Sequence, residues 1–344
     1  MRGPRAGWPF LRFLVGAILI VILLDLLGIN LAALGIITLG SSGESSGVRK
    51  VTVVKSDAEQ TIAAIPIDGL ITGDSTTQLD QYLTAAEDDK DVKAVVLEID
   101  TPGGEASAAD AMYHRLQKFK ADEKASGQSV PVIAAMGGLA TSGGYYVACG
   151  ADYIFAEPTT WTADIGVLIP RFNVSEFLAR YGVKETTIVS TGADYKNLGS
   201  MFQPEDPKAQ AYLQSLADSA FDRFKQVVSE GRHGKLPADT TDIFNGKVYT
   251  ADEALKLGLI DKIGYQNDAY DYARTAANVS AARVERYQPP TTLERLLGAD
   301  SLSNIFGAKA QAARGDVIID GVSVDLRRLA DLIAPRPMYL WRGN

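Results

Sequence analysis

Reactive side chains are scarce in this chain. It has one cysteine, Cys149, so no disulfide can form within it. Cys149 sits among alanine, valine and tyrosine, a setting that predicts a small buried hydrophobe rather than a reactive thiol. There are two histidines. His114 lies in the charged stretch "MYHRLQKFK" and His233 in the polar stretch "EGRHGKL", and both are expected at the surface. There is no H-E-x-x-H, no C-x-x-C and no clustered His/Asp pattern, so neither a metal nor another cofactor is expected. Runs of five or more like charges are missing, as are repeats of solenoid length. The net charge of −8 argues against a nucleic-acid partner.

What is present is apolar. Of 344 residues, 46% are hydrophobic, enough to bury a sizeable core. Phe13–Leu24 has no polar residue, and apolar character resumes over Leu26–Leu39, broken by Asp25 and Asn30. At about 1.5 Å per residue this stretch can cross a hydrocarbon layer of about 30 Å. Arg2, Arg5 and Arg12 precede it, which predicts a cytoplasmic N-terminus (1–12), a membrane anchor (13–39) and everything beyond on the outer side. The competing reading is a cleaved signal peptide, because the uninterrupted core is short. Asp25 counts against an anchor, since a charge is costly in lipid.

A flexible linker, "GSSGESSG", opens residues 40–50. From there strands alternate with helices. Strands are expected at 51–54, 61–67, 92–100, 131–136, 153–157 and 185–190. Helices are expected at 76–89, 106–124, 142–149, 174–181 and 207–230. "YTADEALKLG" (249–258) begins with a capping signature, Thr250 and Glu253, and ends at Gly258. Such alternation predicts an α/β fold with a mostly parallel sheet over 51–280. In the C-terminal extension, 281–344, residues 285–316 look loosely organised and 322–335 reads as a helix.

Two stretches have the form strand, glycine turn, helix: "IDTPGG" (99–104) and "GGLATSGGYYVACGAD" (137–152). Such turns lie at the carboxyl ends of strands, where α/β sites are built. Glycine lets backbone amides approach a ligand, and two such amides form an oxyanion hole. Ser142, at a helix start, then suits a nucleophile. It suits an N-cap equally well, and the glycines alone leave both readings open. A nucleophilic serine needs a base, and neither histidine lies in an apolar, glycine-rich setting. Lysine serves if it is held neutral by burial or a nearby cation. No S-x-x-K occurs. Lys196, in "STGADYKNLGSMF", has small or aromatic neighbours, whereas Lys118, Lys120 and Lys262 sit among charges.

The ordered segments "IDGLITG" (67–73), "VVLEIDTPGG" (95–104), "PVIAAMGGLATSGGYYVACGADYIFAEP" (131–158), "DIGV" (164–167), "TGADYKNLGSMFQPED" (191–206) and "FNGKVYTADEALKLGLIDKIG" (244–264) resemble the membrane-bound S49 serine proteases, the signal peptide peptidases, in their short single-unit form. The resemblance covers residues 60–265. It implies a ClpP/crotonase-like α/β fold, Ser142 as nucleophile, Lys196 as general base, and an oxyanion hole from Gly103, Gly104 and Gly143. It further implies cleavage of apolar peptides such as remnant signal peptides at the membrane, and a homo-oligomeric ring that brings serine and lysine together from different subunits. Tyr145 and Tyr146 are expected to pack in the core. This chain departs from the family at Ala163-Asp164, where a Gly-Ser pair is common, and at Thr101, where serine is frequent. A carboxylate at 164 would hold a nearby lysine charged and weaken it as a base. Two other readings are a crotonase-type acyl-CoA enzyme, needing neither Ser142 nor Lys196, and a catalytically silent membrane scaffold.

Overall fold

The computed structural model describes residues 47–290, 316–319, 322–325 and 338–340. The expected anchor at 13–39 lies outside them. Among the described residues, no helix is long and apolar enough to cross a membrane.

The sequence "TIAAIPID" forms β2 (Thr61–Asp68), "VKAVVLEIDT" forms β3 (Val92–Thr101) and "VIAAMGGLAT" forms β5 (Val132–Thr141). These runs are apolar on both faces, as strands covered on both sides must be. They pair in parallel at the centre of a nine-stranded mixed sheet. Its order adds β1 (Arg49–Val54) and β10 (Arg283–Gln288) on one side, and β6 (Tyr153–Ala156) and β9 (Lys262–Ile263) on the other. β1 runs antiparallel to β10, and β10 parallel to β2.

Helices close both faces. On one, α1 (Gly73–Asp88), α2 (Ala106–Ala125), α3 (Gly143–Ala148) and α5 (Pro207–Gly231) bury Leu83, Leu116, Tyr146 and Phe224 against Val95, Leu97 and Ala134. On the other, α7 (Gln266–Ala276) buries Ala269, Tyr270 and Ala273 against Ile62, Val96 and Ile133. The capping reading at Thr250 holds for α6 (Ala251–Lys256). The Thr250 amide donates to Glu253 Oε2 at 3.0 Å, and Glu253 N–H donates back to Thr250 Oγ1 at 3.4 Å. A Cβ on Gly258 (φ +71°) would lie 1.9 Å from the Lys235 carbonyl oxygen, so this helix end requires glycine.

β5 changes partners along its length. Its first half pairs with β6, and after Gly137-Gly138 its second half pairs with β7 (Trp161–Ala163). β7 in turn pairs antiparallel with β8 (Val248–Thr250). The chain leaving β5 therefore emerges between the ends of β3 and β7.

Three expectations fail. Residues 185–190 form no strand, although "ETTIVS" is β-branched. Ile188 is 94% exposed, and Glu185 accepts hydrogen bonds from Thr187 and Ser200 instead of a ladder forming. Within 285–316, residues 285–288 belong to β10. Within the expected helix 322–335, Val322–Asp325 is a strand, β12, paired antiparallel with β11 (Asp316–Ile319). Asp320-Gly321 joins two alternating β-branched runs there, a hairpin signal that outweighs helical periodicity.

The remaining expectations about scarce side chains hold. His114 and His233 are exposed. Cys149 is buried, and burial pushes its thiol up to about 12. An aromatic disulfide reagent at pH 8 is therefore expected to leave the native protein unmodified and to titrate one thiol after unfolding. Rapid native reaction would contradict the packing described.

Candidate active site

Ser142 stands where β5 ends and α3 begins. Its φ is +54° and ψ −112°, a conformation that costs a non-glycine residue about 1–3 kcal/mol. The surroundings hold it there. Its N–H donates to the Ala163 carbonyl at 2.6 Å, and its own carbonyl accepts the Tyr146 amide at 2.9 Å. Ser142 is 1% exposed. The glycines that follow have a packing reason: a Cβ on Gly144 would come within 2.5 Å of Thr101 Cγ2. Tyr145 and Tyr146 are fully buried, as expected. Tyr145 donates to the Leu259 carbonyl at 2.8 Å, and Tyr146 donates to Asp110.

The "PGG" turn does not run straight into a helix but forms a short strand, β4 (Gly103–Glu105). One edge of β4 pairs with Ile71, whose amide donates to the Gly103 carbonyl and whose carbonyl accepts the Glu105 amide, both at 2.9 Å. The Gly103 amide is already used, donating to Thr101 Oγ1 at 3.0 Å. Thr101 Oγ1 in turn donates to the Gly69 carbonyl. Alternation along the strand then turns the Gly104 amide to the opposite edge, along which Met338–Leu340 pairs antiparallel with Tyr339 opposite Gly104. The position a Cβ would take on Gly143 is 3.2 Å from both Gly104 N and Gly103 Cα. Gly103, Gly104 and Gly143 thus converge beside Ser142.

Lys196 is not brought to them. It lies in an exposed loop with its amide bonded to the Ala193 carbonyl at 2.9 Å. Among the described residues no hydrogen bond or ion pair joins its side chain to Ser142 or to any carboxylate. The segment carrying Lys196 also displays Phe172, Tyr181 and Ile188 to solvent, together with α4 (Ser175–Arg180), which buries no residue.

Asp164 lies directly behind the nucleophile turn, following Ala163, and both have positive φ. Burial pushes its carboxyl up to about 7, so it is not the fixed anion expected from the sequence. A carboxyl raised on folding favours its protonated form. The associated stability is present below the ordinary carboxylate range and is lost as pH rises through about 7. Asp164→Asn, which keeps a side chain suited to positive φ, is expected to raise Tm relative to wild type at pH 8 and not at pH 5. An equal shift at both pH values would count against it.

Sequence reasoning missed one participant. Met338–Leu340 forms β13, antiparallel to β4, with Tyr339 opposite Gly104. Nothing local could have placed it, because its partner lies in the first third of the chain.

Residues 124–280 match the family model "Peptidase family S49". A candidate signal peptide peptidase SppA of Enterococcus faecium is 30% identical over 312 residues, 87% of this chain and 86% of that protein. The chloroplastic serine protease SPPA of Arabidopsis thaliana is 32% identical over 268 residues, 73% of this chain but 38% of that longer protein. Among solved structures, a substrate-peptide complex of the membrane-bound stomatin-specific protease 1510-N is 22% identical with a TM-score of 0.38, covering 72% of this chain and 99% of that one. That overlap is a likeness only. On the strength of the sequence relatives, the chain belongs to peptidase family S49 and is a serine-type peptidase.

Proposed function

We propose that this peptidase is a membrane-anchored endopeptidase with a Ser142/Lys196 dyad, cleaving apolar peptides such as remnant signal peptides. The observation that carries the proposal is the strained Ser142 turn, with Gly143 packed closely against Gly103 and Gly104 of β4. Lys196, as general base, takes the proton of Ser142 Oγ as that oxygen attacks the peptide carbonyl carbon. The oxyanion forms against the Gly104 and Gly143 amides, with Gly103 giving β4 room to approach. Lys196 then protonates the leaving amine, the C–N bond breaks, and water hydrolyses the acyl ester to return Ser142.

Lys196 comes from a neighbouring subunit. Its side chain is exposed while Ser142 is buried, and its segment carries exposed aromatic and aliphatic side chains. Those side chains suit docking onto a second copy, and repeated head-to-tail docking closes a ring. The ring also supplies the burial that keeps a lysine neutral. The sheet, in which β5 passes from β6 to β7 along its length, fits the ClpP/crotonase-like arrangement. The apolar stretch 13–39 would hold the ring at the membrane.

A fluorophosphonate probe read by intact mass tests this. One adduct is expected on wild type, and none on Ser142→Ala or Lys196→Ala. Co-assembling the two silent variants is expected to restore about a quarter of the wild-type sites, because random neighbours then pair an intact serine with an intact lysine. Zero restoration in a mixed ring would refute the shared dyad. Absence of any adduct on assembled wild type would refute the activated serine.

A further inference from the structure

Lys196 sits in a run of tight turns. The Ala193, Lys196 and Leu198 amides donate to the Ser190, Ala193 and Tyr195 carbonyls at 3.1, 2.9 and 3.3 Å. Bonds of this short range shape a loop but do not fix it against the rest of a protein. Further along, the Val174 amide donates to the Met201 carbonyl at 2.8 Å, Arg171 to the Gly199 carbonyl at 3.2 Å, and Ser200 Oγ to Glu185 at 2.8 Å. Those three partners belong to the segment around α4, which itself buries no residue. A general base needs firmer support than this, because a misplacement of about 1 Å costs up to about 10²-fold in rate.

Tyr195, directly before the base, makes a different contact. Its ring meets the Tyr212 ring with centroids 5.1 Å apart and planes at 60°, and Lys208 Nζ lies 4.5 Å from its centre. Lys208 and Tyr212 are four residues apart on α5, so both present to the ring from one helix face. That helix is a firm reference. Its far end buries Phe224, Val227 and Val228 completely, and its near end is capped by Asp206, which accepts the Lys208 amide at 2.8 Å. Among the described residues, no other side chain of 190–198 makes a hydrogen bond, an ion pair or a ring contact.

We propose that Tyr195, clamped by Lys208 and Tyr212, is the positioning residue for the general base. It fixes the loop on α5 so that each subunit presents Lys196 to the Ser142 of its neighbour. This rests on the shared-dyad reading given above. Tyr195 is half-exposed in the single chain. Docking of a neighbour withdraws the ring from water, and a desolvated cation–π contact is stronger than an exposed one. The clamp therefore tightens at the moment the dyad is assembled.

The test reads fluorophosphonate labelling of Ser142 in the full-length assembled protein. Tyr195→Leu is expected to lower the limiting labelling rate about tenfold at an unchanged half-saturating probe concentration. Tyr195→Phe keeps the ring and is expected to label within about twofold of wild type. Mixed rings then separate positioning from damage to the fold. In a ring of Ser142→Ala and Lys196→Ala chains, the restored sites take their lysine from the first chain and their serine from the second. Tyr195→Leu added to the Ser142→Ala chain is expected to slow those sites about tenfold. Added to the Lys196→Ala chain, where no base follows it, it is expected to leave them unchanged. Both mixtures carry the same load of altered chain, so a defect in folding or assembly acts equally on both. Equal rates in the two mixtures, or Tyr195→Phe as slow as Tyr195→Leu, would overturn the proposal. If the parent mixture restores no sites, the shared dyad falls instead, and the comparison of leucine with phenylalanine in uniform rings decides the clamp by itself.

Discussion

Gly103→Ala is expected to lower turnover of peptide substrates by about 10²- to 10³-fold, the size of effect seen when an oxyanion site is disturbed, and to lower Tm with it. The new methyl would need positive φ (+93°) and would project to within 2.7 Å of the Gly143 amide nitrogen and 2.0 Å of the Tyr339 carbonyl oxygen. It would thus fill the space where a substrate carbonyl is to sit. Gly104→Ala should behave alike. Its methyl would meet the backbone of Ile71, with the carbonyl oxygen at 2.0 Å, so β4 itself must shift and stability falls together with activity. Measuring kcat/KM and Tm for both variants checks the assignment. If Gly103→Ala kept full activity, or lost activity only in proportion to the unfolded fraction, the glycine would be a structural turn and no more.

The second large effect is on stability. Asp261→Asn is expected to cost about 3–5 kcal/mol, because it breaks a buried ion pair and strands one partner. Arg232 is 1% exposed and makes a two-pronged contact with Asp261 at 2.8 and 2.9 Å. Asp261 also accepts the Ile154 amide at 2.8 Å, which ties the loop before β9 to β6. For a domain of this size the loss corresponds to a fall in Tm of about 10 °C. Burial alone would raise the Asp261 carboxyl. The hydrogen bonds from Arg232 and Lys235 outweigh it and hold the group below the usual carboxylate range. A depressed carboxyl contributes stability that is present above about pH 4 and is lost as pH falls through its folded-state value. The gap between wild type and variant should therefore narrow on acidification. Lys235→Met, at the exposed end of the same cluster, should cost less than about 1 kcal/mol. Similar losses for both variants would show that the buried geometry is not the cause.

The sequence revealed the central strands and the long helices because each carries a strong local pattern. "VKAVVLEIDT" has no other stable environment than the middle of a sheet. The Ser142 and "PGG" turns were legible for the same reason, since paired glycines after an apolar strand narrow the possible backbones. What stayed hidden depends on distant partners. β10 pairs with β1 and β2, and its polar "RVERYQ" shows little of that burial. β13 is three residues long and meets β4 through tertiary packing alone. Residues 185–190 mislead in the opposite sense: their composition is that of a strand, but no neighbouring edge receives them. Asp164 stands out in the sequence as a departure from the family pattern, yet its charge state follows from burial, which sequence does not display.

The position of β10 has a practical side. The family match stops at residue 280, and a chain ended there would seem to keep every catalytic segment. It would lose the strand that sits between β1 and β2. β1 would have nothing to pair with, and β2, apolar along its length, would become a bare sheet edge. Such an edge invites pairing with other copies, so a minimal version ended at residue 280 should precipitate, whereas one extended through Gln288 should remain in solution.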